Sequence, residues 1–158
     1  PLKKSRKTVK EGDLFAIKIS ENFYILGQII VSDIKSYDKA IDCLIVFYKI
    51  KAKELYSFEN ITSLENIELL TEKPFLVNKN LWSKGCLQNI GHLNIPETVG
   101  PFYFNSLLKN GIVDVYGELI NKNNITNKTD LHYELAYLYG IISSIRKVYD
   151  QEPNWFSF

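Results

Sequence analysis

The chain has 158 residues and a mass of 18.3 kDa, the size of one ordinary domain that can bury a continuous core. Hydrophobic residues make up 46% and charged residues 23%, proportions close to globular averages that exclude wholesale disorder and a fibrous repeat. The formal net charge of +1 argues against a grossly acidic mimic of nucleic acid.

Cysteine usage and the apolar runs predict a cytoplasmic protein with no membrane partner. Cys43 and Cys86 lie far apart, each within an apolar run, where a reduced thiol packs as a small hydrophobe. No apolar stretch follows the basic residues at the start, so we expect no signal peptide. The longest uncharged apolar runs are far shorter than the ~20 residues that a membrane-spanning helix needs.

The first ten residues contain five basic ones: Lys3, Lys4, Arg6, Lys7 and Lys10. Such a tail can contact phosphates, although a solvated, frayed terminus is the simpler interpretation. We therefore expect a frayed basic tail over residues 1–10 and a single α+β domain over residues 11–158.

The first structured stretch predicts a β-hairpin, with one strand over residues 14–19 and a second over residues 24–31. Period-two alternation places Phe15, Ile17 and Ile19 on one face of the first strand. The second strand is apolar on both faces apart from Gln28, which is typical of a strand covered on both sides. Gly27 within it predicts a bulge or a close backbone approach.

Further strands are predicted over residues 41–50, 74–77, 87–95 and 112–120, and residues 55–70 fit one helical turn or a structured loop. From residue 130 to about 150 the apolar period becomes helical, at Leu131, Leu135, Leu138, Ile142, Ile145 and Tyr149. Thr129 or Asp130 is the expected N-cap. Gly140 within this helix predicts close packing on the sheet.

The aromatic residues of segment 153–158 are expected to dock back on the domain. The predicted fold is therefore α+β, with a curled antiparallel β-sheet or a small SH3-like barrel and a C-terminal amphipathic helix packed on it.

The sequence offers few residues for catalysis or metal binding. Its histidines and cysteines are His92, His132, Cys43 and Cys86, and no two of them have the close spacing of metal ligands. No glycine-rich phosphate-binding loop is present. We interpret His92 as a partly buried structural histidine bonded to the backbone, and an enzyme centred on His92 stays as an alternative. We expect no enzyme activity, no catalytic residue, no metal and no cofactor.

Five segments carry a resemblance to a known family. They are residues 12–17 (Gly-Asp-Leu-Phe-Ala-Ile), residues 24–30 with Gly27, the hydrophobic strand 44–48, the Pro-Phe-Leu-Val segment 74–77, and Trp82 with Ile90-Gly91. In these features the chain resembles the immunity protein 26 family of bacterial polymorphic toxin systems, over about residues 8–120. The resemblance implies a small protein that binds and neutralises a toxin domain, as in contact-dependent inhibition, and it carries over no catalytic residues.

A tight toxin complex needs aromatic anchors within a polar rim. We expect these contacts in two polar loops, at Asp33, Tyr37, Asp38, Tyr56, Phe58 and Glu59. The expected partner is a cognate toxin domain, with nucleases among the candidates, and attraction of a basic nuclease would require a local acidic patch. The alternative function is a small β-barrel-like module that binds nucleic acid or peptide, with the basic tail as its electrostatic contact, although nucleic acid is not the expected partner.

Overall fold

The computed structural model describes residues 2–5, 7–35, 41–121, 125 and 136–158, and within them the architecture is α+β. Five strands form an antiparallel sheet: β1 (Asp13–Ser20), β2 (Phe23–Lys35), β3 (Ile41–Ala52), β4 (Phe75–Asn78) and β5 (Leu87–His92). A small second sheet contains β6 (Phe104–Ser106) and β7 (Gly111–Val113). The helices are α1 (Asn80–Ser83), α2 (Leu138–Gln151) and the 3₁₀ helices Leu55–Asn60 and Pro153–Phe156.

The large sheet is open, with strand order β4-β3-β2-β1-β5. The predicted hairpin and third strand are confirmed, because β1 pairs with β2 and β2 pairs with β3 in antiparallel register. The predicted alternative of an SH3-like barrel is wrong. Closure would require the two edge strands to pair, whereas β4 pairs with β3 and β5 pairs with β1 at opposite edges.

Both faces of the sheet are covered, as the apolar pattern of β2 predicts. One face carries Phe15, Ile17 and Phe47, and it packs against Ile141 and Ile145 of α2. The opposite face carries another buried set, Leu14, Ala16, Leu26, Val46 and Tyr48, which packs against Phe58 and Leu64 from the connection between β3 and β4. Two apolar layers therefore hold the sheet between α2 and this connection.

Gly27 lies where another residue needs its space, which confirms the predicted close approach. A β-carbon there would meet the Phe15 ring and would lie 2.8 Å from the carbonyl oxygen of Val46. The pairing of β2 with β3 also shifts register between Ile25 and Gly27. The glycine therefore lets the Phe15 ring lie directly across β2.

Gln28 is fully buried and joins three segments by hydrogen bonds. Its Oε1 accepts from the Tyr48 hydroxyl at 2.8 Å, and its Nε2 donates to the carbonyl oxygen of Leu93 at 2.8 Å. Nε2 also lies 3.3 Å from the carbonyl oxygen of Gly12. Because buried amides need partners, Gln28, the one polar residue in the apolar run 25–31, fixes the chain after β5 onto the sheet.

Helix α2 differs from the predicted helix at its start and in its buried face. It begins at Leu138 after the extended N-cap Tyr137, and the predicted cap and the first predicted apolar positions, residues 129–135, lie outside the described residues. Ile141 and Ile145 are buried, whereas Ile142 is 38% and Tyr149 is 49% exposed. The predicted stripe is therefore right at Ile145 but wrong at Ile142 and Tyr149, because the preceding residues Ile141 and Val148 face the core instead.

Apart from its chain neighbours and the backbone of its own helix, Gly140 of α2 has no described atom within 4 Å of the position of a β-carbon. The prediction that Gly140 allows close packing on the sheet is wrong, because this residue is exposed.

The strand predicted over residues 112–120 is also wrong in extent. β7 ends at Val113, because Asp114 Oδ1 accepts the backbone N–H groups of Tyr116 and Glu118, each at 2.9 Å, and turns the chain. Leu119 then returns to bridge Val113. β5 likewise ends at His92 rather than at residue 95.

The basic amino-terminal segment packs against the domain at two apolar residues, which differs from the frayed tail expected. Leu2 and Val9 are buried, and the backbone N–H of Ser5 donates to the carbonyl oxygen of Trp82. Its described lysines are exposed. Among the helices in the described parts of the chain, none is long and apolar enough to cross a membrane.

Candidate functional site

The candidate site is the connection between β3 and β4, residues 54–72, here called the acidic segment. It contains five glutamates and no lysine or arginine. The five are exposed: Glu54, Glu59, Glu65, Glu68 and Glu72. A chain with a net charge of +1 therefore concentrates negative charge on one connection.

Apolar residues hold the acidic segment against the sheet. Phe58, Leu64 and Leu70 are all buried, the first two of them in the layer beneath the segment. The backbone N–H of Leu70 donates to the carbonyl oxygen of Phe47, and that of Lys49 donates to the carbonyl oxygen of Glu68, both at 2.8 Å. The acidic segment is therefore packed and hydrogen-bonded, so its exposed side chains stand on an ordered base.

Tyr56 stands out from the 3₁₀ helix Leu55–Asn60, with 62% of the residue exposed. A hydrogen bond from its hydroxyl to the Glu54 carboxylate, together with the negative charge of that carboxylate, raises the pKa of Tyr56. Ile67, 37% exposed, adds an apolar side chain to the same segment. Accessible aromatic and apolar side chains among charged ones have the composition of a protein-binding surface.

Lys49 of β3 connects the acidic segment to the end of α2. Its ammonium lies 3.0 Å from Glu68 Oε2 and 3.1 Å from Glu152 Oε2. Hydrogen bonds to Glu68 and then to Glu152 raise the pKa of Lys49. Lys49 therefore offsets the charge of Glu68, and the negative field of the segment comes mainly from its other four glutamates.

Of the predicted contact residues in this connection, Tyr56 and Glu59 are exposed, but Phe58 is buried at 4% exposure. The prediction of Phe58 as a partner-binding residue is wrong, because its side chain fills the apolar layer beneath the segment. Residues three apart lie on the same side of a 3₁₀ helix, so Leu55 and Phe58 face the apolar layer while Tyr56 and Glu59 face solvent.

Asp33, the predicted contact residue in the other loop, lies near the opposite end of the β2–β3 pair from Tyr56. It has a positive φ of 60°, and its carboxylate accepts a hydrogen bond from Lys79 at 2.7 Å. That hydrogen bond and the charge of Lys79 lower the pKa of Asp33. The structure therefore places Asp33 apart from Tyr56 and Glu59. Tyr37 and Asp38, the other predicted contact residues of that loop, lie outside the described residues.

The sequence prediction included Glu59 but not the other four glutamates of the acidic segment: Glu54, Glu65, Glu68 and Glu72. The signal was present, since the stretch 54–72 has glutamate at five positions and no basic residue. The acidic surface is not evident from the sequence because apolar residues separate the glutamates along the chain. In the fold, Phe58 and Leu64 are buried beneath the segment, and the glutamates are left exposed at its surface.

His92 is part of a hydrogen-bonded group rather than a backbone-bonded buried residue, so that interpretation is wrong. Its side chain is 59% exposed, and Nδ1 lies 3.1 Å from Asp13 Oδ1. Asp13 Oδ2 accepts from Asn89 Nδ2 at 3.2 Å, and Asn89 Oδ1 accepts from Trp82 Nε1 at 2.7 Å. Asp13 and Trp82, two of the residues that carry the family resemblance, thus fasten β1, β5 and α1 together.

Within the described ranges, no group of three or more histidine, cysteine, aspartate or glutamate residues could hold a metal ion. In comparisons with protein-family models, with curated proteins and with solved structures, nothing matches this chain.

Proposed function

We propose that this protein is an immunity protein that binds a bacterial toxin domain and neutralises it by covering its active surface. The observation that carries the proposal is the acidic segment, where exposed Tyr56 stands among exposed glutamates on a base held by buried Phe58. A tyrosine side chain has few rotatable bonds, and on a packed base it binds with little loss of conformational freedom, which favours tight binding by occupancy.

The charge of the acidic segment favours a basic partner surface. Its glutamates supply the local acidic patch that a basic nuclease toxin would require for electrostatic attraction, despite the net charge of +1 over the whole chain. The resemblance to the immunity protein 26 family supports the same function. A neutralising complex must also be tight, because one free toxin enzyme turns over repeatedly, and nanomolar affinity corresponds to about −12 kcal/mol.

The test is co-expression with the toxin domain encoded beside this gene. We expect the wild-type chain to restore growth and to copurify with the toxin, and we expect Tyr56→Ala with Glu59→Lys to weaken binding at least about 30-fold. Tyr139→Ala is the matched control, because Tyr139 is 85% exposed on α2, outside the acidic segment. The proposal fails if the wild-type chain protects against no neighbouring toxin and captures none.

The salt dependence of binding distinguishes toxin neutralisation from the alternative function, a module that binds nucleic acid. Binding of DNA or RNA through phosphates should fall by orders of magnitude between about 50 and 200 mM salt. A toxin complex anchored by Tyr56 should instead keep most of its lifetime, while its association rate falls as the attraction of the glutamates is screened.

A further inference from the structure

Three lysines occur at alternate positions along and just after β3: Lys49, Lys51 and Lys53, here called the lysine row. Alternate residues of a strand lie on the same face. The lysine row therefore continues the line of Ile45 and Phe47, which belongs to the apolar layer under α2. Beyond the end of that apolar layer, this face of β3 presents ammonium groups.

Segment 152–158 lies along the lysine row in the same order. Both carboxylate oxygens of Glu152 accept hydrogen bonds from Lys49 Nζ, at 3.2 and 3.1 Å. Lys51 Nζ donates to the carbonyl oxygens of Trp155 and Ser157. Lys53 Nζ lies 5.2 Å from the centre of the Phe158 ring, within the range of a cation–π contact.

Lys51 contributes more than its two hydrogen bonds. Its ammonium lies 5.4 Å from the centre of the Trp155 ring and 4.9 Å from the centre of the Phe158 ring. One side chain therefore recognises both the backbone and the aromatic faces of the segment. Lys51 is the central contact of the lysine row.

Phe23 at the start of β2 supplies the apolar part of the same site. Its ring stacks on Phe156 at 5.7 Å between centroids, with 16° between the planes. It also contacts Trp155 at 6.2 Å and Phe158 at 5.2 Å. Phe23 is 7% exposed, whereas no residue of the 3₁₀ helix Pro153–Phe156 is buried. The segment therefore lies on the surface of the site as a short bound peptide does.

We propose that the lysine row and Phe23 form a binding site for short peptide segments in which a carboxylate is followed by aromatic residues, and that segment 152–158 occupies this site within the same chain. The chemistry of that occupant defines the ligand: a carboxylate for Lys49, backbone carbonyls and aromatic faces for Lys51, and an aromatic ring for Phe23. This site meets the acidic segment at Lys49, which also pairs with Glu68, but the proposal does not depend on the toxin-neutralising function.

Because segment 152–158 already occupies the site, it lowers the apparent affinity of the site for a free peptide. A tethered segment acts at an effective concentration in the millimolar range, so a free peptide must compete with it. Trp155→Ala with Phe156→Ala removes two of the three aromatic side chains that contact Phe23, and it leaves Phe23 and the lysines in place. We call this double substitution the open variant.

The experiment is calorimetric titration with the peptide Glu-Pro-Asn-Phe-Phe-Ser-Phe, which matches segment 152–158 with phenylalanine in place of tryptophan. We expect the open variant to bind this peptide at least about tenfold more tightly than the wild-type chain, since the competing segment is weakened. Adding Lys51→Met should remove at least about tenfold of that affinity. Lys18→Met is the matched control, because Lys18 lies over Tyr24, which packs on the opposite face of the sheet from Phe23. We expect this substitution to leave peptide binding unchanged.

The proposal is overturned if the open variant keeps a cooperative unfolding transition but takes up no peptide, or if Lys51→Met and Lys18→Met weaken binding equally. If the open variant does not fold, the test uses the wild-type chain, and the measured quantity is the quenching of its tryptophan fluorescence by iodide. Trp82 is buried at 1% exposure, so iodide reports Trp155. Millimolar peptide should increase quenching, whereas a scrambled peptide should not, and equal quenching with both peptides overturns the proposal.

Discussion

At the scale of single residues, Gly27 and Gly140 differ in the space that a side chain would find there. A β-carbon at position 27 would meet the Phe15 ring and the Val46 carbonyl oxygen, so we expect Gly27→Ala to destabilise the fold by about 2–3 kcal/mol. At position 140 no described atom lies within 4 Å, so Gly140→Ala should stabilise α2 by about 0.5–1 kcal/mol. Urea unfolding at neutral pH measures both, and equal midpoints for the two variants would contradict the role given to Gly27.

The buried pair Gln28 and Tyr48 is a second residue-scale case, in which the two partners should be coupled. Tyr48→Phe removes the donor to Gln28 Oε1, and we expect a loss of about 1–2 kcal/mol. Gln28→Leu leaves the carbonyl oxygen of Leu93 without its 2.8 Å donor, and we expect about 2 kcal/mol. The double variant should lose about 1 kcal/mol less than the sum of the single losses. Strict additivity in the unfolding free energies would show that the pair does not act as a unit.

At the scale of elements, the 3₁₀ helix Leu55–Asn60 has one residue that stabilises the fold, Phe58, and another that is available to bind a partner, Tyr56. Phe58 is 4% exposed and Tyr56 is 62% exposed, although only one residue stands between them. We expect Phe58→Ala to cost about 3–5 kcal/mol and Tyr56→Ala to cost less than about 0.5 kcal/mol. Thermal or urea unfolding checks both values, and a large loss of stability for Tyr56→Ala would mean that Tyr56 supports the segment instead of presenting it.

The hydrophobic pattern of the sequence was enough to predict some secondary-structure elements but not others. β1, β2 and β3 were predicted because alternation and continuous apolar runs reflect burial on one face or on both. The strand predicted over residues 112–120 was wrong in extent because Asp114 Oδ1 accepts two local hydrogen bonds that turn the chain. The predicted stripe of α2 was wrong because packing against distant strands decides which side of the helix meets the sheet. At the candidate site, the polar and aromatic composition of the loop was enough to predict Tyr56 and Glu59 as exposed residues. The burial of Phe58 could not be predicted in the same way, because it packs against strands that are distant in sequence.

At the scale of the whole molecule, charge is distributed unevenly around a nearly neutral total. Five basic residues lie within the first ten, and five glutamates without a basic residue lie within residues 54–72. The lysine row stands between the acidic segment and segment 152–158, because Lys49 pairs with both Glu68 and Glu152. The two proposed binding surfaces, one acidic and one cationic, therefore meet at Lys49, and a partner at one surface would change the electrostatic potential at the other.

The pH dependence of global stability should show a loss on the alkaline side that comes from buried acids of the core. Burial raises the pKa of the Cys43 thiol from 9.0 to about 12, and burial also raises the pKa of Tyr48. The folded state therefore holds these protons more tightly than the unfolded state. This contribution is complete below pH 9 and is lost as pH rises from 9 towards 12. For Cys43 the loss amounts to about 3 kcal/mol at pH 11.

Urea unfolding between pH 8 and pH 11 measures this loss. Cys43→Ala should give a shallower decline than the wild-type chain, since alanine has no proton to lose, even if its stability at pH 8 is lower. Cys86→Ala is the matched control, because Cys86 is only partly buried whereas Cys43 is fully buried beside the Val77 carbonyl oxygen. Deprotonation of surface lysines lowers all three curves alike, so the comparison uses differences in slope. Parallel curves for Cys43→Ala and the wild-type chain would show that the buried thiol does not set the alkaline limit.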